Sequence, residues 1–250
     1  MEVFVEMHCH ILPGVDDGAD DMDEAVELLR LEYEQGVRQI ILTPHYREGY
    51  FETSRDQIRQ VYQELCKAAV KAGLQMELYL GCELHRSSDI LERMERDTAY
   101  CMADTRYVLL EFSEIDTFQT IRSYTSGLIN YGYRPIVAHA ERCKALSEEK
   151  IKELIELGAY IQINAESILG KSGWRTKNFC RRLLKDGNVH FVGSDSHHVK
   201  YRSPCLGLCA AYMKKKLGEE ETRRLLRENP EKLLRNDYMI WVSKHNNYRP

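Results

Sequence analysis

Short apolar runs alternate with longer amphipathic stretches along almost the whole chain, and this alternation limits the folds it can adopt. Seven runs are rich in Val, Ile, Leu, Tyr and Phe and predict strands. Most are apolar at consecutive positions, which is typical of parallel strands buried on both faces. The seven predicted strands cover residues 3–7, 39–43, 76–81, 107–112, 135–139, 160–164 and 190–194.

Helical patterns separate the predicted strands. The stretch 23–36 carries apolar residues at i, i+3 and i+4 and ends in Gly36, while Asp21 with Glu24 three residues later indicates its start. The other predicted helices lie near 54–72, 87–96, 117–131, 147–157, 175–186, 206–217 and 219–227. Seven evenly spaced βα units predict an α/β fold with a parallel sheet and favour a barrel. We expect one domain over residues 1–250, with a tail at about 237–250.

Charge and apolar patterning exclude several classes of protein. The formal net charge is −4, with acids and bases interspersed, whereas nucleic-acid-binding surfaces show a basic excess. No apolar stretch reaches the length of about 18 residues that membrane insertion requires. The N-terminal residues "MEVFVEMHCH" lack the features of a signal peptide, so we expect a cytoplasmic protein. The eight cysteines form no C-x-x-C pair and are expected to be free thiols.

Histidines and acids follow six of the seven predicted strands at their carboxyl ends. They are His8 and His10, then Asp16 and Asp17 in the next loop, His45, Glu83, Glu111, His139, Asp195 and His197. One such histidine is more often a structural, hydrogen-bonded residue. In a βα barrel, however, all these strand ends share the face that carries the active site. Convergence of the whole set therefore indicates a functional site.

A buried cluster of this composition needs cations, because unpaired buried carboxylates and imidazoles are costly. Two or three divalent ions would satisfy it, and ligands of these types suit Mn²⁺, Zn²⁺, Fe²⁺ or Mg²⁺. Neighbouring ions can hold a hydroxide and clamp a phosphoryl group, so the residues indicate phosphoester hydrolysis. Arg142 follows His139, and Arg202 follows His197. Both are candidate catalytic residues that would bind phosphate; the alternative is a solvated surface charge for each.

The ordered motifs "HCHILPGVDDG", "TPHYREGYFET", "GCEL", "LLEF", "AHAER" and "VGSDSH" resemble the PHP (polymerase and histidinol phosphatase) superfamily. Within it, the chain is most similar to the manganese-dependent bacterial tyrosine-protein phosphatases of capsule and exopolysaccharide operons. The resemblance runs from about residue 3 to 236. It implies a distorted (β/α)₇ barrel of the PHP type with three divalent metal ions, Mn²⁺ being the expected ion.

The resemblance also implies a set of ligands for each ion. It assigns His8, His10, Glu83 and Asp195 to the first ion, Glu83, Glu111 and His139 to the second, and Asp17, His45 and His197 to the third. It selects Asp17 over Asp16 as the ligand, and it matches Arg142 and Arg202 to phosphate-binding arginines. Glu6 stands where the family often has Asp, and "AHAER" replaces the common "AHPER"; neither change removes a ligand.

The substrate implied by the resemblance is phosphotyrosine in proteins, especially on the Tyr-rich tail of a cognate bacterial tyrosine kinase. The residues alone support only phosphomonoester hydrolysis. The loop 45–53 offers Tyr46, Arg47, Tyr50 and Phe51, an aromatic and basic lip that would bind a phosphotyrosyl ring and its acidic flanks. The alternative is a loop that packs its own aromatic side chains.

Three alternative functions agree with the sequence to different degrees. A thiol phosphatase needs Arg six residues after its nucleophilic Cys, and no cysteine in the chain has one. Histidinol-phosphate phosphatase, exonuclease or nucleotide phosphatase activity would use nearly the same ligands. A kinase-binding regulator with a vestigial site would bind fewer ions. His85, His190, His198 and His245 are predicted to be structural or exposed, and no acid for the leaving group is identified.

Overall fold

The computed structural model describes residues 3–87, 90–95 and 100–239. All seven predicted strands are confirmed, and two of them are followed, after a break of two residues, by an additional short strand. The strands are β1 Phe4–Cys9, β2 Val37–Leu42, β3 His45–Tyr46, β4 Glu77–Leu80, β5 Glu83–His85, β6 Tyr107–Glu111, β7 Arg134–Val137, β8 Tyr160–Asn164 and β9 Phe191–Gly193.

Helices follow most strands, as the sequence predicts. They are α1 Met22–Glu34, α2 Arg55–Lys71, α3 Ile90–Glu95, α4 Phe118–Asn130, α5 Glu148–Leu157, α6 Ala165–Leu169, α7 Trp174–Asp186, α8 Leu206–Leu217, α9 Glu219–Arg223 and α10 Asn229–Leu234. Asp21 caps α1 by accepting a hydrogen bond from the Glu24 N–H at 2.9 Å, as predicted. The sequence did not predict α6 or α10. The predicted helix 87–96 and the predicted tail lie partly outside the described residues.

The strands form two parallel sheets. β3 and β5 of the second sheet follow β2 and β4 of the first after two residues each. The first has the order β1-β2-β4 and the second the order β3-β5-β6-β7-β8-β9, and every pairing between these strands is parallel. Pro44 lies between β2 and β3, where its lack of an N–H interrupts the ladder. The Gly81 N–H still donates to the Leu42 carbonyl at 2.7 Å, so the neighbouring strand continues across the break.

The sheet curls until its last strand lies beside its first. The Asp195 N–H donates to the His8 carbonyl and the His10 N–H to the Ser196 carbonyl, both at 2.8 Å. A core cluster also joins Met7 of β1 with side chains from β2, β6, β7, β8 and β9, and with Leu233 of α10. A flat sheet would not bring these strands together. The curled parallel sheet confirms the α/β class and directs the strand ends to one region. Among the described residues, no helix is long and apolar enough to cross a membrane.

Candidate metal centre

The carboxyl end of β1, the first residue of β5 and the segment after β9 bring four of the predicted ligands together. His8 Nε2 and His10 Nε2 lie 3.4 Å apart, and each is 3.2 Å from Glu83 Oε2. Each of the two nitrogens is also 3.6 Å from Asp195 Oδ1. All four side chains are almost fully buried. The atoms therefore surround one point from several sides, as the ligands of a single ion would.

Two further groups of ligand atoms adjoin this one. His139 Nε2 lies 2.8 Å from Glu83 Oε1 and 3.7 Å from Glu111 Oε1. On the other side, His45 Nε2 and His197 Nε2 lie 3.5 and 3.6 Å from Asp17 Oδ1. Ligand atoms of His10, Asp17, His45 and His197 all lie within 4.8 Å of one another. The structure thus brings together all nine predicted ligands, with Glu83 between the groups.

Two buried carboxylate oxygens at the centre lack a directed hydrogen bond among the described residues. They are Glu83 Oε2 and Asp195 Oδ1. Three imidazole nitrogens, from His8, His10 and His45, nevertheless lie 3.2 Å from Glu83 Oε2. Buried acceptors without hydrogen bonds are rare and costly, and coordination to a cation removes that cost. The donor set therefore fits divalent metal ions bound by oxygen and nitrogen.

The charge states of the cluster follow from its burial. Burial alone would raise the pKa of Glu83, but the charge of His8 and the hydrogen bonds from His10 and His139 outweigh it and hold that pKa well below its usual range. Burial lowers the pKa of His45 to about 4, so its imidazole is neutral and available as a ligand. Burial, reinforced by the charge of Glu83, raises the pKa of Glu111 to about 7. Two carboxylates this close to each other repel, and a cation between them would remove the repulsion.

Asp16 orients the ring of His10 rather than facing the cluster. Its Oδ2 lies 2.7 Å from His10 Nδ1 and accepts from the His45 N–H at 2.8 Å. The Nδ1–H of His10 therefore donates to Asp16 and leaves Nε2 free for a metal. Asp17 is half-exposed and faces His45 and His197. The geometry agrees with the choice of Asp17 as the ligand.

No predicted ligand lies in or directly after β8, but this strand carries two amide side chains that hold ligands from other strands in place. Gln162 Oε1 accepts from the His139 N–H at 2.6 Å and lies 3.2 Å from His8 Nδ1. Gln162 Nε2 donates to Asn164 Oδ1, and Asn164 Nδ2 donates to Asp195 Oδ2. The sequence analysis missed both amides. Their signal was two polar residues at alternate positions of the apolar run "YIQIN", which places both on one face of the strand.

Backbone geometry at the centre is strained and sterically tight. His139, Asp195 and Arg202 adopt positive φ values of 28°, 54° and 51°, a region that residues other than glycine rarely occupy. A Cβ at Gly193 would lie 2.7 Å from the Cβ of His8, so only glycine lets β9 approach β1 this closely. Glu6 accepts the His8 N–H at 2.9 Å and the Ser194 N–H at 3.0 Å, which links the two strands beneath the site.

Both predicted arginines reach Asp195. Arg142 donates to Asp195 Oδ2 at 2.9 Å and to Glu166 Oε1 at 2.7 Å. Arg202 lies 2.6 Å from Asp195 Oδ1 and 2.8 Å from His197 Nε2. Neither arginine is a solvated surface charge, because each side chain is about two-thirds covered and ion-paired at the site.

The predicted lip divides into residues that face the centre and residues that do not. Phe51 stacks on the His45 ring, with centroids 5.4 Å apart, and Arg47 lies over the exposed ring of Tyr50 at 4.4 Å. Arg47 and Phe51 line a cavity of about 220 Å³ above the ligands, together with both arginines. Tyr46 instead packs against the core and accepts a hydrogen bond from Arg93, so the structure does not bring it to the cavity.

The remaining histidines and Cys9 have structural contacts. His190 Nδ1 accepts the Ile161 N–H at 3.1 Å, His198 Nδ1 lies 3.3 Å from Glu24 Oε1, and His85 Nε2 lies 2.9 Å from Ser113 Oγ. His245 lies outside the described residues. Cys9 is buried in the apolar core, and burial raises the pKa of its thiol. A buried neutral thiol is not a nucleophile, so the structure agrees with rejection of a thiol phosphatase.

A family model for capsular polysaccharide synthesis, CpsB/CapC, matches residues 4–235. The chain belongs to the CpsB/CapC family. This family member is 34% identical over 242 residues to tyrosine-protein phosphatase CpsB of Streptococcus agalactiae serotype V, over 94% of this chain and 100% of that protein. It is 33% identical over 238 residues to tyrosine-protein phosphatase YwqE of Bacillus subtilis, over 93% of this chain and 92% of that protein.

A solved structure supports the same assignment. It belongs to a set of crystal structures of YwqE from Bacillus subtilis and CpsB from Streptococcus pneumoniae. Both proteins are described there as unique metal-dependent tyrosine phosphatases. The TM-score with this CpsB/CapC chain is 0.89 at 32% identity, over 94% of this chain and 96% of that chain. The predicted enzyme class, a metal-dependent phosphomonoester hydrolase, is therefore confirmed.

Proposed function

We propose that this chain is a metal-dependent protein-tyrosine phosphatase with a distorted (β/α)₇ barrel of the PHP type. The observation that carries the proposal is the position of Glu83 Oε2. This buried oxygen lacks a hydrogen bond within the described part of the chain, yet it lies 3.2 Å from three imidazole nitrogens. The names of the relatives, which are tyrosine-protein phosphatases, support the same reaction.

Three groups of side chains would hold three divalent ions, and Mn²⁺ is the expected ion. They are His8, His10, Glu83 and Asp195 for the first, Glu83, Glu111 and His139 for the second, and Asp17, His45 and His197 for the third. Bound ions would supply a hydroxide nucleophile at neutral pH and stabilise negative charge on the phosphoryl oxygens. Asp16 and Gln162 would keep the ligating nitrogens of His10 and His8 deprotonated and aimed at the centre.

Arg142 and Arg202 would bind the non-bridging phosphate oxygens. Arg202 now contacts Asp195 Oδ1 and His197 Nε2, two atoms that the ligand assignment gives to ions. If those atoms bound ions, they would no longer hold Arg202, and its guanidinium would be free to bind phosphate. Arg142 is held against Asp195 Oδ2 by Glu166, which keeps it pre-oriented at the edge of the cavity. Phe51 and Arg47 would contact the tyrosyl ring and the acidic residues that flank it.

The proposed substrate is a phosphotyrosine protein, namely a cognate bacterial tyrosine kinase that acts in capsular or exopolysaccharide synthesis. The family assignment to capsular polysaccharide synthesis supports this choice. The cytoplasmic location expected from the N-terminus remains a prediction.

The test is hydrolysis of a phosphotyrosyl peptide and of histidinol phosphate, each with EDTA and after addition of Mn²⁺. We expect turnover of the peptide, its loss with EDTA and its recovery with Mn²⁺. His139→Ala and Asp195→Ala should abolish turnover, whereas Cys9→Ser should keep most of it because Cys9 packs in the core. Turnover that survives EDTA would reject the metal-dependent mechanism. Turnover of histidinol phosphate alone would assign the small-molecule reaction instead.

A further inference from the structure

A groove between α7 and α8 is unrelated to the metal centre. It has a volume of about 390 Å³ and shares no lining residue with the cavity above the metal ligands. Its floor is apolar and includes Ile168, Leu184 and Met213, which are buried in the core. The reaction proposed above does not use this surface, and the groove is larger than the catalytic cavity. It can therefore hold a separate binding partner.

The rim of this groove carries only positive charge. Lys177, Arg181, Lys185 and Lys216 line it, and none of its lining side chains in the described part of the chain is acidic. Arg181, Lys185 and Lys216 are exposed and form no ion pair with any residue that the structure describes. The rim is thus complementary to an anionic partner.

The spacing of the cations distinguishes among anionic partners. Lys177, Arg181 and Lys185 follow one another at intervals of four residues on α7. Since an α-helix rises about 1.5 Å per residue, the three positions form a row about 12 Å long on one face. The head group of one lipid or one free phosphate would meet only part of such a row. A second helix with carboxylates at four-residue intervals repeats the same spacing.

We propose that the α7–α8 groove binds an acidic amphipathic helix of a protein partner. Glu or Asp side chains of that helix pair with the row on α7 and with Lys216 of α8. Its apolar side chains enter the groove, where they meet the half-buried Tyr212 and Leu217. This is the helix-in-groove mode of recognition, in which apolar anchors supply affinity and charges fix orientation.

The probe is a short fluorescein-labelled helical peptide with three Glu at four-residue intervals and Leu on the adjoining face. We expect fluorescence anisotropy to show binding that weakens as salt is added. Combined Arg181→Gln, Lys185→Gln and Lys216→Gln should weaken binding about ten-fold, because each exposed ion pair contributes a modest amount. Replacing the peptide's Leu by Ser should weaken binding to the unchanged protein as well.

The matched control removes the same charge elsewhere. Arg59→Gln, Lys67→Gln and Lys71→Gln change three exposed cations of α2 and should leave affinity within about two-fold. Both triple variants should hydrolyse p-nitrophenyl phosphate like the parent protein, which shows that they are folded. Equal loss of affinity in the two variants would overturn the proposal in favour of unspecific charge attraction. Binding to phosphatidylglycerol vesicles without binding to the peptide would overturn it in favour of a membrane surface.

Discussion

Two adjacent carboxylates illustrate how position, rather than residue type, decides a role at the centre. Asp16 is buried and accepts from His10 Nδ1 and from the backbone of His45 and Gly18. Asp17 projects into the cavity toward His45 and His197. Gly18 makes this loop possible, since a Cβ there would collide with the His10 carbonyl oxygen. One carboxylate thus orients a ligand, and the next is placed to be one.

Asp16→Ala should weaken metal binding without removing a ligand. The substitution frees the imidazole of His10 to rotate and to exchange its tautomer, and loss of such outer contacts lowers metal affinity about 10–100-fold. Titration of the metal-free protein with Mn²⁺, followed by calorimetry, measures the change. Asp17→Ala is the comparison and should reduce the number of bound ions. If Asp16→Ala bound Mn²⁺ as tightly as the parent protein, the orienting role would be wrong.

The sequence predicted which charged residues gather at the centre better than it predicted the residues that support them, for a physical reason. Histidines and acids at strand ends stand out because they are costly to bury, and topology alone brings strand ends together. Gln162 and Asn164 are uncharged, so they carry no comparable signal, and their hydrogen bonds depend on the distances between strands. Tyr46 was misplaced for a related reason. In the two-residue strand β3, His45 faces the centre and the next side chain faces the core.

At the scale of elements, the positions of the strands were predicted more accurately than the last helices, α9 and α10. An additional short strand follows each of β2 and β4 after two residues, and Pro44, which has no N–H to donate, interrupts the ladder while the chain keeps its direction. After α9, the chain continues through a π-helical turn, Arg224–Glu228, into α10. Asn229 at that junction donates to the His190 carbonyl at 2.8 Å, which fixes the final helices beneath β9.

His190, just before β9, should make stability depend on pH. Burial, with the nearby charge of Arg224, lowers its pKa from 6.5 to about 3. Below pH 6.5 the unfolded chain takes up a proton that the folded chain refuses, so stability falls as the pH decreases from about 6.5 to 3. Between pH 7 and pH 5 this group should lower the free energy of unfolding by about 2 kcal/mol.

The measurement is urea unfolding of the metal-free protein and of His190→Asn at pH 7 and pH 5. Asn keeps an acceptor for the Ile161 N–H but does not titrate, so the variant should lose about 2 kcal/mol less over this interval. All other titrating groups are common to both proteins and cancel in the comparison. Equal pH dependence of the two proteins would contradict a neutral, buried His190.

At the scale of the whole molecule, carboxylates gather at the strand ends, and a basic rim lines a separate groove between two helices. Three central carboxylates, Glu83, Glu111 and Asp195, face the imidazoles at the strand ends. The outer groove between α7 and α8 carries the opposite charge. The alternation of parallel strands with helices could be predicted from the sequence because each element has its own apolar period. The groove could not, since it depends on which faces two successive helices present to each other.

Removal of metal should destabilise the whole fold, because the central carboxylates hold strands from both sheets against one another. Ions bound only by the folded state stabilise it by about 2.7 kcal/mol each when present at a hundred times their dissociation constant. For a chain of this size, that amount corresponds to a shift in the unfolding midpoint of roughly 5–10 °C. We expect EDTA to lower the midpoint of thermal unfolding by at least this amount, and Mn²⁺ to restore it. Glu83→Ala should reduce the shift, because Glu83 lies between two ligand groups, whereas Cys9→Ser should keep it. A parent protein with the same midpoint in EDTA and in Mn²⁺ would show that the centre does not bind metal.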